Sequence, residues 1–281
     1  MERIDLHTHT LASDGSDTPA AVVQQAAALG LRAVAVTDHD TFAGLPEALA
    51  AGQRCGIEVV PGVELSTVWG GEEVHLLGYF MDTGNAALRA LMTRATDERN
   101  ARNETMVQRL HDAGYPITMD DLHAAFPGQT VLGRPHIAAL LVQRGCIPSV
   151  SDGMRGLLGR GKAFYVPRYN IPLADSIRAL RAAGVAHIFK YRFDDAQRAA
   201  MLAAAADAGA LGVEVRYTTY TPEQTEIAQA LAARFGLAPS GGSDYHGLRK
   251  PDIALGSGRG GLRVPYAYLA GLKALAGHEC V

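Results

Sequence analysis

The sequence predicts an α/β fold: a distorted seven-stranded parallel β/α barrel carrying a helical insertion. Short apolar stretches of strand character alternate with Ala- and Leu-rich helical stretches, the pattern of a mostly parallel sheet covered by helices. The chain has 281 residues, enough for one barrel, which typically needs about 250. Seven strand patterns occur rather than the regular eight, so the barrel is expected to be irregular.

The strand patterns are 3–6, 33–37, 58–63, 74–80, 184–189, 212–216 and 237–241. Helical patterns lie between them at 20–29, 45–53, 173–183, 195–208 and 222–235. Several begin with a capping residue or Pro and stop at Gly, as at Gly30, Gly184, Gly209 and Gly236. The rhythm breaks between residues 85 and 169, where a long polar helix pattern, 86–113, is followed by shorter ones at 119–125 and 134–144. The expected organisation is therefore a barrel built from 1–84 and 170–281, with 85–169 as a helical insertion over one face. Arg134, His136 and Lys162 sit in that insertion among Gly and Pro residues, which fits a lid that contributes substrate contacts.

Composition narrows the partners. A net charge of −3 argues against non-specific binding to nucleic acid or to an anionic membrane. Cys55, Cys146 and Cys280 form no CxxC and are odd in number, as expected for reduced thiols. The N-terminus has no basic stretch followed by an apolar one, and no run of about 18 apolar residues occurs. A cytoplasmic protein with no membrane partner is expected.

The chemistry starts at Asp5-Leu6-His7-Thr8-His9-Thr10. Residues two apart on a strand point to one side, so His7 and His9 project together where a parallel barrel places its active site, at the C-terminal end of a strand. Two neighbouring imidazoles make a metal pincer, although an isolated HxH is also compatible with two ordinary polar residues. Asp14 precedes Gly15, which alone would read as a turn. The second strand ends in Thr37-Asp38-His39-Asp40 and the third in Pro61-Gly62-Val63-Glu64, whose carboxylate could bridge two cations. His75 follows Glu73-Val74, His187 lies in the fifth strand pattern, and Asp244 and His246 share a face in Gly241-Gly242-Ser243-Asp244-Tyr245-His246-Gly247. Six of the ten histidines thus fall at strand ends, with Asp14, Glu64 and Asp244 at similar positions. Nine such donors exceed what one ion takes and suit two or three divalent transition-metal ions; imidazole and carboxylate without thiolate fits Mn, Fe or Zn.

These residues in this order resemble the PHP (polymerase and histidinol phosphatase) family. The matching pieces are His7-Thr8-His9, Asp14, Thr37-Asp38-His39, Pro61-Gly62-Val63-Glu64, His75, His187 and Gly242-Ser243-Asp244-Tyr245-His246, and Gly133-Arg134-Pro135-His136 of the insertion is similar to that of stand-alone phosphoesterases. The resemblance implies a ligand partition: His7, His9, Glu64 and Asp244 on one metal; Glu64, His75 and His187 on a second; Asp14, His39 and His246 on a third. It also implies a small phosphorylated substrate, either a nucleoside 3′,5′-bisphosphate or a 5-phosphoribose cyclic phosphate. One departure stands out. Where the family commonly has His-Pro-x-Arg-Tyr, this chain has His187-Ile188-Phe189-Lys190-Tyr191, and Lys cannot make the two-pronged contact of Arg to phosphate.

The expected function is a metal-dependent phosphoesterase that releases phosphate by attack of metal-bound hydroxide, with Glu64, Asp14 and His39 at the catalytic centre. Arg134, His136, Lys162, Lys190, Arg192 and Arg216 are the candidates for substrate or second-phosphate binding. The alternatives are an amidohydrolase or deaminase, which also opens with HxH; a nuclease on short oligonucleotides; and a non-catalytic metal-binding domain. No long nucleic acid is expected, since no long basic track is visible.

Overall fold

The computed structural model describes residues 2–129, 131–167, 171–180, 183–186, 191 and 193–277. In chain order the strands are β1 (Arg3–Asp5), β2 (Ala33–Val36), β3 (Glu58–Trp69), β4 (Glu72–Tyr79), β5 (Ala183–Ala186), β6 (Gly212–Tyr217), β7 (Ala238–Gly242) and β8 (Val264–Pro265). The helices are α1 (Pro19–Ala28), α2 (Leu45–Cys55), α3 (Ala86–Asp112), α4 (Met119–Ala125), α5 (Arg134–Gln143), α6 (Val150–Gly153), α7 (Leu173–Leu180), α8 (Asp195–Asp207), α9 (Pro222–Phe235) and α10 (Tyr266–Ala276). The strands form one 8-stranded sheet in the order β7-β6-β5-β4-β3-β2-β1-β8. The sheet curls until its ends nearly meet: beyond β1, Leu6 N donates to Gly241 O (3.2 Å) and Asp244 N to His7 O (2.9 Å). The result is a distorted barrel.

Two strands depart from a parallel barrel. β4 is antiparallel to both β3 and β5. Gly70 and Gly71 form a two-residue hairpin turn at φ 57° and 78°, a left-handed backbone conformation that residues with a Cβ rarely adopt. So short a connection can only produce an antiparallel pair. β8 is a two-residue antiparallel addition beside β1; neither it nor α10 was apparent as an element in the sequence. Gly184, expected to stop a helix, lies inside β5.

β2 shows why the strands read as continuous apolar runs: all four residues are buried. Ala33 and Ala35 pack with Ile4, Leu6, Leu77 and Tyr79. Val34 and Val36 pack outward against Val22, Val23 and Ala26 of α1 and Ala48 and Ala51 of α2. Helix starts follow their caps: Thr18 accepts from Ala21 N ahead of Pro19, and Thr221 and Gln224 cap reciprocally around Pro222. Helices α3 to α6 and a π-helical turn (Met154–Leu158) interrupt the barrel order, and Met106, Leu110, Ile117, Leu122, Ile137 and Leu158 form a core of their own there. No helix among the described residues is long and apolar enough to cross a membrane.

Candidate metal centre

The site forms where β1, β2 and β7 end and where β3 and β4 cross; Glu64 lies within β3, which runs on to Trp69, and not at a strand end as the sequence predicts. Thr8 pairs with Tyr245 in an isolated parallel bridge, which sends His7 and His9 to one side. Gly242 permits that close approach: a Cβ there would lie 2.3 Å from the Cβ of His7. His39 bridges to Glu64 just beyond β2. In the β3–β4 hairpin Ser66 opposes His75 and Glu64 opposes Leu77, so His75 and Glu64 are diagonal neighbours on one face. The antiparallel course of β4 is thus what carries His75 to the site. Asp244 and His246 do not converge by strand alternation, since β7 ends at Gly242; Asp244 adopts φ 60°, and the turn brings both inward.

Glu64 stands at the centre and is fully buried. Its Oε2 lies 3.1 Å from His7 Nε2, 3.0 Å from His9 Nε2 and 3.4 Å from His39 Nδ1. Its Oε1 lies 2.6 Å from His75 Nδ1. Asp244 Oδ1 lies 3.5 Å from His7 Nε2 and 3.3 Å from His9 Nε2. Asp14 lies 3.2 Å from His246 Nε2 and 3.8 Å from His39 Nε2. Three groups each bring one donor atom per residue within 4.8 Å of one another: His7, His9, Glu64 and Asp244; His9, Asp14, His39 and His246; and His39, Glu64 and His75.

The donors suit divalent cations. Both ring nitrogens of His9 and Nδ1 of His39 are buried and make no directed hydrogen bond among the described residues, despite the nearby carboxylates. Lone pairs held this way fit metal ligation by nitrogen and oxygen. The electrostatics agree. Burial opposes charge on His7, yet Glu64, Glu214 and Asp244 outweigh it and push its pKa up to about 10. His9 is likewise raised to about 9, burial being overcome by Asp244, Glu64 and Asp14. The carboxylates call for positive charge at this point, which metal ions would supply.

Supporting residues surround these donors; in the sequence Asp38 stands out only as part of its motif, and Tyr217, Lys250, Glu214 and Arg99 do not stand out for this role. Asp38 accepts from Thr10 N, Thr10 Oγ1 and Ser13 Oγ, each at 2.7 Å, and so shapes the loop after His9. Tyr217 and Lys250 bond Asp244 Oδ2 at 2.5 and 2.6 Å, leaving Oδ1 toward the imidazoles. Glu214 lies 3.3 Å from His7 Nδ1. Arg99 of α3 reaches Asp40, next to His39. A charged residue inside an apolar strand, Val213-Glu214-Val215, was the available signal for Glu214; the others depend on contacts distant in sequence.

Of the substrate-contact candidates, Arg134 lies 3.5 Å from Glu73, whose other oxygen is 3.3 Å from His75 Nε2. His136 is buried, accepts from Gly133 N on Nδ1 at 2.9 Å, and packs edge-on to Phe126. Burial lowers its pKa to about 4, so it stays neutral with its proton on Nε2. Arg249, three residues after His246, lies over the same Phe126 ring. Lys162 is exposed in a turn, and Arg216 turns to the Arg263 carbonyl and the Tyr268 ring. His187, Lys190 and Arg192 lie outside the described residues.

A PHP domain model matches residues 5–136. The "5'-3' exoribonuclease Rnm" of Salmonella typhimurium is 34% identical over 249 residues, covering 86% of this chain and 84% of that protein. The chain belongs to the PHP family. A Chromobacterium violaceum "3',5'-nucleoside bisphosphate phosphatase" is 33% identical, covering 88% of both chains. An Eggerthella lenta "phosphoribosyl 1,2-cyclic phosphate 1,2-diphosphodiesterase" is 32% identical, covering 93% and 98%. A solved Bifidobacterium adolescentis protein, described provisionally as a metal-dependent phosphoesterase, superposes with a TM-score of 0.87 at 32% identity, covering 98% and 96%. This PHP protein is a metal-dependent hydrolase of phosphate esters.

Proposed function

We propose that this PHP protein hydrolyses a phosphate ester on a small phosphorylated ribose compound, using two or three divalent ions of Mn, Fe or Zn. The observation that carries the reading is Glu64, one buried carboxylate in reach of four imidazoles. His7, His9, Glu64 and Asp244 would hold one ion, Glu64 and His75 with His187 a second, and Asp14, His39 and His246 a third. Such ions supply an activated water near neutral pH and offset charge that builds on phosphorus. The chain's own residues would bind and orient. His136 offers a neutral N–H, and Arg134 a guanidinium aligned by Glu73 on the insertion side, where 85–169 would act as a lid. Lys162 and Arg216 would serve only after rearrangement, since one is exposed and the other turned aside.

Two relatives' names give a nucleoside 3′,5′-bisphosphate and a phosphoribosyl cyclic phosphate. We therefore favour a nucleoside 3′,5′-bisphosphate or a phosphoribosyl cyclic phosphate. A second reading, stepwise removal of nucleotides from the 5′ end of short RNA, is favoured by the Salmonella typhimurium relative. The test is a product screen with Mn²⁺ after chelator treatment, reading inorganic phosphate from bisphosphates and cyclic phosphates and free nucleotides from short 5′-phosphorylated RNA. Release from none of them under Mn²⁺, Fe²⁺ or Zn²⁺, with no ion bound on elemental analysis, would defeat the proposal.

A further inference from the structure

His7 is held between carboxylates. Its Nε2 faces Glu64 and Asp244, and its Nδ1 faces Glu214 Oε1 at 3.3 Å. His7 and Glu214 are both fully buried. Glu214 stands between Val213 and Val215 in β6, both packed in the outward core, so the strand turns its carboxylate the other way, into the barrel. A buried carboxylate is costly unless it meets a charge or a donor, and an imidazole that gives its far nitrogen to a cation provides both.

We propose that Glu214 is a positioning residue for the metal centre: it accepts a hydrogen bond from the Nδ1–H of His7 and so fixes the ring with Nε2 toward the cation shared with His9, Glu64 and Asp244. Glu214 belongs to none of the three donor groups, so it acts through His7 and not as a ligand. A carboxylate behind a ligating histidine sets the tautomer, orients the ring and raises its basicity; loss of such a partner typically weakens metal affinity by about 10- to 100-fold. The inference rests on the metal reading above.

The test uses full-length protein stripped with chelator and titrated with Mn²⁺, comparing wild type, Glu214→Gln and Glu214→Ala, with ions per chain counted by elemental analysis. One ion should bind about 10- to 100-fold more weakly in Glu214→Ala, and less so in Glu214→Gln, whose carbonyl still accepts a hydrogen bond. The remaining ions should keep their affinity, and adding Glu214→Ala to His7→Ala should change nothing further. Wild-type protein loaded with Zn²⁺ gives an independent readout by histidine ¹⁵N NMR, which needs no variant: His7 should carry its proton on Nδ1. Folded variants with wild-type affinity for every ion, or a His7 proton on Nε2, would overturn the role of Glu214. Wild-type protein that binds no Mn²⁺ would instead overturn the metal reading.

Discussion

Glu64 concentrates the residue-scale argument, because its charge serves several imidazoles at once. Glu64→Gln keeps the shape and removes the charge. Phosphate release should fall at least ~10³-fold in kcat, consistent with the several kcal/mol that metal ions supply to such reactions. His123→Ala, exposed on α4, should leave kcat unchanged; equal activity of Glu64→Gln and wild type would refute the central role of Glu64. His136 makes a second residue-scale prediction, with a definite sign. Its pKa falls from 6.5 to about 4 on folding because burial disfavours the charged ring. The stability this gives is complete above pH 6.5 and is lost as pH falls toward 4, at up to about 1.4 kcal/mol per pH unit. In metal-free protein, the stability difference between wild type and His136→Gln should therefore shrink from pH 7 to pH 4, read from urea unfolding. A difference flat across that window would mean that His136 titrates normally.

Between elements, the decisive contact joins α3 to the end of β2. Asp40 adopts φ 51° and accepts from Ser66 N at 2.8 Å, Ser66 Oγ at 3.1 Å and Arg99 Nη2 at 2.5 Å. Arg99 and Asp40 are both buried, so this pair fastens α3 to the residue next to His39. Removing one member leaves a buried charge behind, which typically costs about 3–5 kcal/mol. Arg99→Met should destabilise by that amount, and Asp40→Asn in the same chain should recover part of it. Urea unfolding measures both; a loss under about 1 kcal/mol would show that the pair does not hold α3.

For the whole molecule, the candidate ligands come from segments as distant as His7 and His246, so metal binding should stabilise the entire barrel. A ligand that binds only the folded state at 100 times its dissociation constant adds about 2.7 kcal/mol. Chelation should therefore lower Tm by several degrees, Mn²⁺ should restore it, and Glu64→Gln should blunt the gain. Calorimetry showing the same Tm with chelator and with Mn²⁺ would argue against ions that span these segments. Substrate preference belongs to this scale too, because barrel and insertion meet at Arg134. A ribose substrate with a second phosphate should exceed its singly phosphorylated counterpart by about 10- to 100-fold in kcat/KM per contact, and Arg134→Ala should erase that margin. Equal kcat/KM for matched substrates would rule out a second anion contact there.

Much of the barrel could be read from the chain, because apolar runs, caps and terminal glycines act locally: α9 starts at its Thr221 cap and ends at Gly236. The same holds for the candidate ligands, since polar residues interrupting apolar stretches are visible in a single sequence, as at Thr37-Asp38-His39 beyond β2 and at Val63-Glu64, although Glu64 proves to lie inside β3 and not at its end. Direction and partnership were not visible. The sequence showed β4 as one more strand, while the φ values of Gly70 and Gly71 reverse it and bring His75 to Glu64. Glu214 behind His7, Lys250 and Tyr217 behind Asp244, and Arg99 on Asp40 are contacts between residues far apart in the chain. Local pattern fixes which side chains leave the core; only the curled sheet and the helices packed on it decide which of them meet, because burial makes each charge find a partner that sequence spacing does not name.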